Sequence, residues 1–70
     1  MRDIKDIKAL KALAKYEGDL RLAMICDLAL HGPEALEGAE PGTEADLLLA
    51  EGRTQAWACN ECRRIVEEAS

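Results

Sequence analysis

Between Leu20 and Leu30, nine of eleven residues are apolar, and only Arg21 and Asp27 interrupt them. A helix of that composition has no wide polar side, so it must be covered on several faces at once. The chain has 70 residues with which to do this, a length at which one core is marginal and a staple, a metal or a second copy is commonly recruited. With no Phe, one Tyr and one Trp, the core is expected to be Leu, Ile, Ala and Met. At 49% apolar residues, with two Pro and five Gly, the composition is that of a folded domain and excludes a disordered one.

Two long helices are predicted around that stretch. Asp3 is a candidate cap, and Ile4, Ile7, Leu10 and Leu13 then recur every three residues opposite Lys5, Lys8, Lys11 and Lys15. This spacing predicts an amphipathic helix with a solvated basic face. Gly18-Asp19 is either a fresh cap or a tolerated glycine. Because the apolar stripe resumes in nearly the same phase, a single helix over about 3–31 is expected, ending at His31-Gly32-Pro33. The connection, 32–42, is rich in Gly, Pro and Glu, and its Pro33-Glu34-Ala35-Leu36 segment is expected to close a short turn with Leu36 as a plug. Thr43-Glu44-Ala45-Asp46 is a helix-start signal. A second helix is expected from there to about 69, with Leu48, Gly52, Gln55, Cys59, Cys62, Val66 and Ala69 as its packing seam.

The expected fold is therefore all-α, an antiparallel helical hairpin spanning 1–70 as one domain. A hairpin has no third layer, which would leave much of its apolar helix in water. Two copies are expected to pair into a four-helix bundle, with Leu20, Leu22, Met24, Ile25, Cys26, Leu28 and Leu30 as the dimer core. In outline this resembles the hairpin dimers of plasmid copy-number regulators, a likeness of architecture with no shared motif.

The net charge is −5 and unevenly spread. Residues 1–15 carry five basic and two acidic side chains, whereas 16–70 carry four basic and twelve acidic ones. Nucleic acid is thus not expected as the main partner, since phosphate binding needs clustered Lys and Arg. Weak binding through Lys5, Lys8, Lys11 and Lys15 is the residual form of that reading. The acidic run Glu34, Glu37, Glu40, Glu44 and Asp46 is expected to be solvated, or to lie beside a partner's basic helix. An odd count of three Cys, with no apolar leader, points to the cytoplasm and free thiols. The longest apolar run, Leu22 to Cys26, is far too short to cross a bilayer.

Chemistry-bearing patterns are sparse. Cys59-Asn60-Glu61-Cys62 is the one motif-like item. A redox pair would want a helix N-terminus, and a zinc site would need Cys26 and His31 as well. Matching levels across the hairpin sets Cys26 opposite Leu48 and Cys59 opposite Lys15, so the two thiols are expected to be small packing residues. A zinc- or redox-linked module on Cys59 and Cys62 is the competing reading. Glu17 and Arg21 are expected to pair with each other or across the bundle and fix its register. His31 suits the negative end of a helix. No nucleophile pattern or phosphate loop is present, so no catalytic residue, metal or cofactor is assigned.

Trp57 is the anomaly. The helical wheel sets it on the side away from Leu48, Cys59 and Val66, among Arg53, Asn60, Glu61 and Arg64, and the level count puts Tyr16 near its height. A Trp among arginines on an outward face has the composition of a binding hot spot; the alternative is cover by the other hairpin. The expected function is that of a small non-enzymatic interaction protein. It would be an accessory regulator of the phage or plasmid type that binds and modulates a host protein such as a transcription regulator. Its partner-binding residues would be Trp57, Arg53, Arg64, Asn60 and Tyr16.

Overall fold

A computed structural model describes residues 2–69, and all regular structure among them is helical. Helix α1 is Arg2–Glu17, α2 is Leu20–His31, a 3-10 turn covers Pro33–Leu36, α3 is Glu44–Ala50 and α4 is Gln55–Ala69. The expected all-α class therefore stands, but each of the two long helices is broken once.

The first break falls at Gly18-Asp19. Gly18, at φ +79°, donates to the Lys15 carbonyl, and the Asp19 N–H reaches back to the Ala14 carbonyl at 2.8 Å. Those two bonds form a Schellman stop, which asks for a left-handed residue that glycine supplies without strain. One residue later the Asp19 carboxylate accepts from the Leu22 N–H at 3.1 Å and caps α2. Two residues thus end one helix, start the next and reverse the chain. Lys11 then pairs with Asp27 across the α1–α2 contact. The expected single helix over 3–31 is corrected to this antiparallel pair.

The apolar stripe of α1 is also narrower than a three-residue repeat suggests. Each step of three falls about 60° short of a full turn, so Ile4 and Leu13 end up on opposite flanks. The buried set is Ile7, Leu10 and Ala14, whereas Ile4 and Leu13 stay about half exposed, at 48% and 50%.

Gly32 ends α2 at φ +80°, donating to the Leu28 carbonyl at 2.8 Å. Pro33–Leu36 follows as the expected turn, with Leu36 buried at the end of the core. Thr43 caps α3 through its hydroxyl, which accepts from the Asp46 N–H, while the Asp46 carboxylate accepts from the Gly42 N–H at 2.9 Å. Helix α3 is short and buries Leu48 completely.

The second break spans 51–54, inside the helix expected over 43–69. Gly52 is at φ +68° and donates to the Leu49 carbonyl, and the Thr54 hydroxyl accepts from the Trp57 N–H at 3.0 Å to cap α4. Gly52 is therefore a turn residue and no part of a helical seam.

Helix α2 is the hub. It packs against α1, α3, α4 and the 3-10 turn, and buries Ala23, Ile25, Cys26, Leu28 and Ala29. Helices α1 and α4 touch and run the same way. Asp3 meets Arg63, and Leu13 shares a shallow surface with Ala69. The core joins Ile7 and Leu10 of α1, the α2 residues, Leu36, Leu48, and Ala58 and Cys62 of α4. Of the residues assigned to a dimer core, Ile25, Cys26 and Leu28 are buried within one chain, Leu22, Met24 and Leu30 are partly covered, and Leu20 remains 61% exposed. With each long helix folded in two, the chain supplies extra layers of its own.

A continuous helix and a turn at residue 52 predict opposite signs for one substitution. In an uninterrupted helix Gly52→Ala would stabilise by up to about 1 kcal/mol. At φ +68° it should destabilise by roughly 1 kcal/mol. Urea unfolding of the two proteins reads the sign directly.

Candidate functional site

The 51–54 turn and the first turn of α4 bring together two of the side chains singled out by the sequence, Arg53 and Trp57. The guanidinium of Arg53 lies over the Trp57 ring, 4.5 Å from its centroid. Arg53 also donates from Nε to Glu51 at 3.3 Å. Glu51 in turn receives a two-pronged bond from Arg21, at 2.8 and 3.0 Å. A planar guanidinium suits both duties, since it can fork onto a carboxylate and stack on an aromatic face. Arg21 thus pairs across the fold, from α2 to the turn after α3, and does not pair with Glu17. Its hydrogen bonds hold the Glu51 carboxyl below the ordinary carboxylate range, with a smaller contribution from Arg53, and Arg21 is raised in return.

Trp57 is half-buried and packs against the core. It is therefore both a packing residue and a surface one. Arg64 is held within α4, bonded to Glu61 and Glu68 at 3.0 to 3.4 Å. Asn60 accepts from Arg63, whose other nitrogen reaches Asp3 at 3.2 Å. Tyr16 is 89% exposed but lies elsewhere. Since α1 and α4 run in parallel with Asp3 beside Arg63, Tyr16 is toward the opposite end of that pair from Trp57. The level count that sets them at one height assumes unbroken helices.

The same correction applies to the thiols. Cys26 faces Cys62 at 3.8 Å, not Leu48, and both are buried. Cys59 points to the Ala29 carbonyl at 3.5 Å, where Gln55 also donates at 3.0 Å. That carbonyl lies in the last turn of α2, which has no helical partner for it, so two α4 side chains serve as its cap. Among the described residues no group of three or more His, Cys, Asp or Glu side chains is placed to hold a metal ion.

One feature has no signal in the sequence spacing. A cleft of about 600 Å³ lies between the start of α1, the end of α2 and α4. Ile4, Ile7, Ala29, Leu30 and Val66 line its apolar part. Asp3, Asp6, Lys8, His31, Gln55, Cys59, Arg63 and Glu67 supply mixed charge and hydrogen-bonding groups around them. It exists because α4 docks parallel to α1, and that docking depends on the break at 51–54.

No family model matches the chain, and no curated protein or solved structure shows significant similarity to it. No helix among the described residues is long and apolar enough to cross a membrane.

The Arg21–Glu51 bridge makes a pH-dependent prediction. Because the Glu51 pKa is lowered in the fold, the bridge contributes fully above the ordinary carboxylate value and is lost as pH falls through the lower folded one. An NMR titration should find Glu51 below 4.5, and Arg21→Gln should return it toward that value more than Arg53→Gln does. An unchanged Glu51 titration in Arg21→Gln would show that the bridge does not persist in solution.

Proposed function

We propose that the protein is a small, non-enzymatic interaction module that binds another protein and alters its activity. The observation carrying this reading is the Arg53–Trp57 stack. A half-buried aromatic ring is packed on the core and overlaid by a guanidinium 4.5 Å away, itself anchored through Glu51 to α2. Trp and Arg in that state lose little side-chain freedom on binding, which is why such pairs recur at the centres of interfaces. Asn60 and Arg64 follow on the same helix, although Arg64 is already engaged by two carboxylates.

The partner class proposed here rests on composition alone. A short acidic chain with no nucleophile pattern suits an accessory regulator of the kind phages and plasmids direct at host proteins, transcription regulators among them. The cytoplasm is the compartment this reading assumes. Self-association belongs to the same proposal, but of the residues expected in a hairpin-dimer core only Leu20 is left mainly exposed to take part. Leu13, Tyr16 and Leu20 stand exposed near the end where α1 passes into α2, and a second copy is the occupant proposed for them.

Two variants test the recognition surface. Arg53 is exposed and outside the core, so Arg53→Ala should keep the helical circular dichroism while weakening capture of the partner from source-cell extract by tenfold or more, about 1.4 kcal/mol. Trp57→Ala should weaken capture further and also lower the melting temperature, because the ring packs on the core. Undiminished capture by folded Arg53→Ala would overturn the assignment. Sedimentation of the wild type should show a two-chain species at micromolar concentration, and a single-chain species would remove the second copy from the proposal.

A further inference from the structure

Cys26 of α2 and Cys62 of α4 meet inside the core with their sulfurs 3.8 Å apart and no surface in water. They stand 36 positions apart in sequence, on two helices in extensive contact. Packing alone does not require two sulfurs to meet at this point, since Ala or Val fills such space equally well. A disulfide needs its sulfurs about 2.0 Å apart, so less than 2 Å separates the pair from bonding distance, within reach of small side-chain rotations.

We propose that Cys26 and Cys62 are a modification site, a dithiol that a small-molecule disulfide converts into a covalent link between α2 and α4. Cys59 is the obvious competitor, three residues before Cys62. Side chains three apart on a helix have β-carbons about 5–6 Å apart, whereas a disulfide needs about 3.8 Å, so a Cys59–Cys62 bond would distort α4. The Cys59 sulfur is also turned to the Ala29 carbonyl.

The reaction is a double exchange. The Cys62 sulfur, as thiolate, attacks one sulfur of R–S–S–R during a local opening of α4 and expels RS⁻, leaving a mixed disulfide. The Cys26 thiolate then attacks the Cys62 sulfur and expels the second RS⁻. Both leaving groups take up the protons given up by the two thiols, so the protein is oxidised by two electrons and R–S–S–R becomes two RSH. Whichever of the two sulfurs is ionised accepts the other's S–H, and that contact favours the Cys62 thiolate over the Cys26 one. The product closes a long loop and restricts the unfolded chain, which tightens the fold without altering its outer surface.

Glutathione disulfide is the probe, used on the full chain with non-reducing peptide mapping and thermal melts. The expected product is a Cys26–Cys62 linked peptide, in wild type and in Cys59→Ser alike. Its formation should raise the melting temperature by roughly 10–20 °C, a gain that dithiothreitol removes. Cys62→Ala should show neither the link nor the gain. A Cys59–Cys62 bond, a glutathione adduct confined to Cys59, a bond between two chains, no reaction, or a linked chain that melts no higher would each overturn the proposal.

Discussion

Water tolerates α2 poorly, and the rest of the fold follows from that. Ala23, Ile25, Cys26, Leu28 and Ala29 are buried together, and they do not lie along one stripe. No single neighbouring helix can cover such a distribution. Helix α1 takes one side, α4 another, and α3 with the Pro33–Leu36 turn closes what remains. Each fully buried leucine, such as Leu28 or Leu48, contributes on the order of 2 kcal/mol relative to exposure. In a domain this small, a handful of such residues decides whether the chain folds at all.

The two helix breaks make that coverage possible, and they share a grammar. In each, a left-handed glycine ends one helix, and a side-chain oxygen one or two residues later caps the next. Gly18 with Asp19 is one case, Gly52 with Thr54 the other. The local chemistry of both is written in the sequence. At Gly18 the continuing apolar phase argues against a break, and at Gly52 the small residue fits a plausible packing seam. In both places the short-range signal is the correct one, and the long-range pattern misleads. The class of the fold, the Gly32 stop, the Leu36 plug and the Thr43 cap are all readable, because each depends on residues within one or two turns.

The pairing of helices is not readable in the same way. Which residue of α4 stands opposite Cys26 depends on where the chain turns, and an error of one turn in the connection shifts every partner. That is why level counting sets Cys62 far from Cys26, and why it groups Tyr16 with Trp57. The candidate surface shows the same division. Trp57 with Arg53 is visible as an odd composition on one helix. The anchoring of Arg53 through Glu51 to Arg21, and the cleft between α1 and α4, exist only once the break at 51–54 folds α4 back. The chain hides its greasiest helix with its own segments, and the Arg53–Trp57 stack lies outside that core.

Amide hydrogen exchange along α2 tests this most directly. If one chain covers its own hub, the amides around Ala23 to Leu28 exchange only through global unfolding and are the slowest in the protein. Their protection then persists at concentrations low enough for the protein to sediment as a single chain. An α2 left unprotected in the single-chain species would mean that a second copy supplies the cover, and would contradict a hub buried by its own chain.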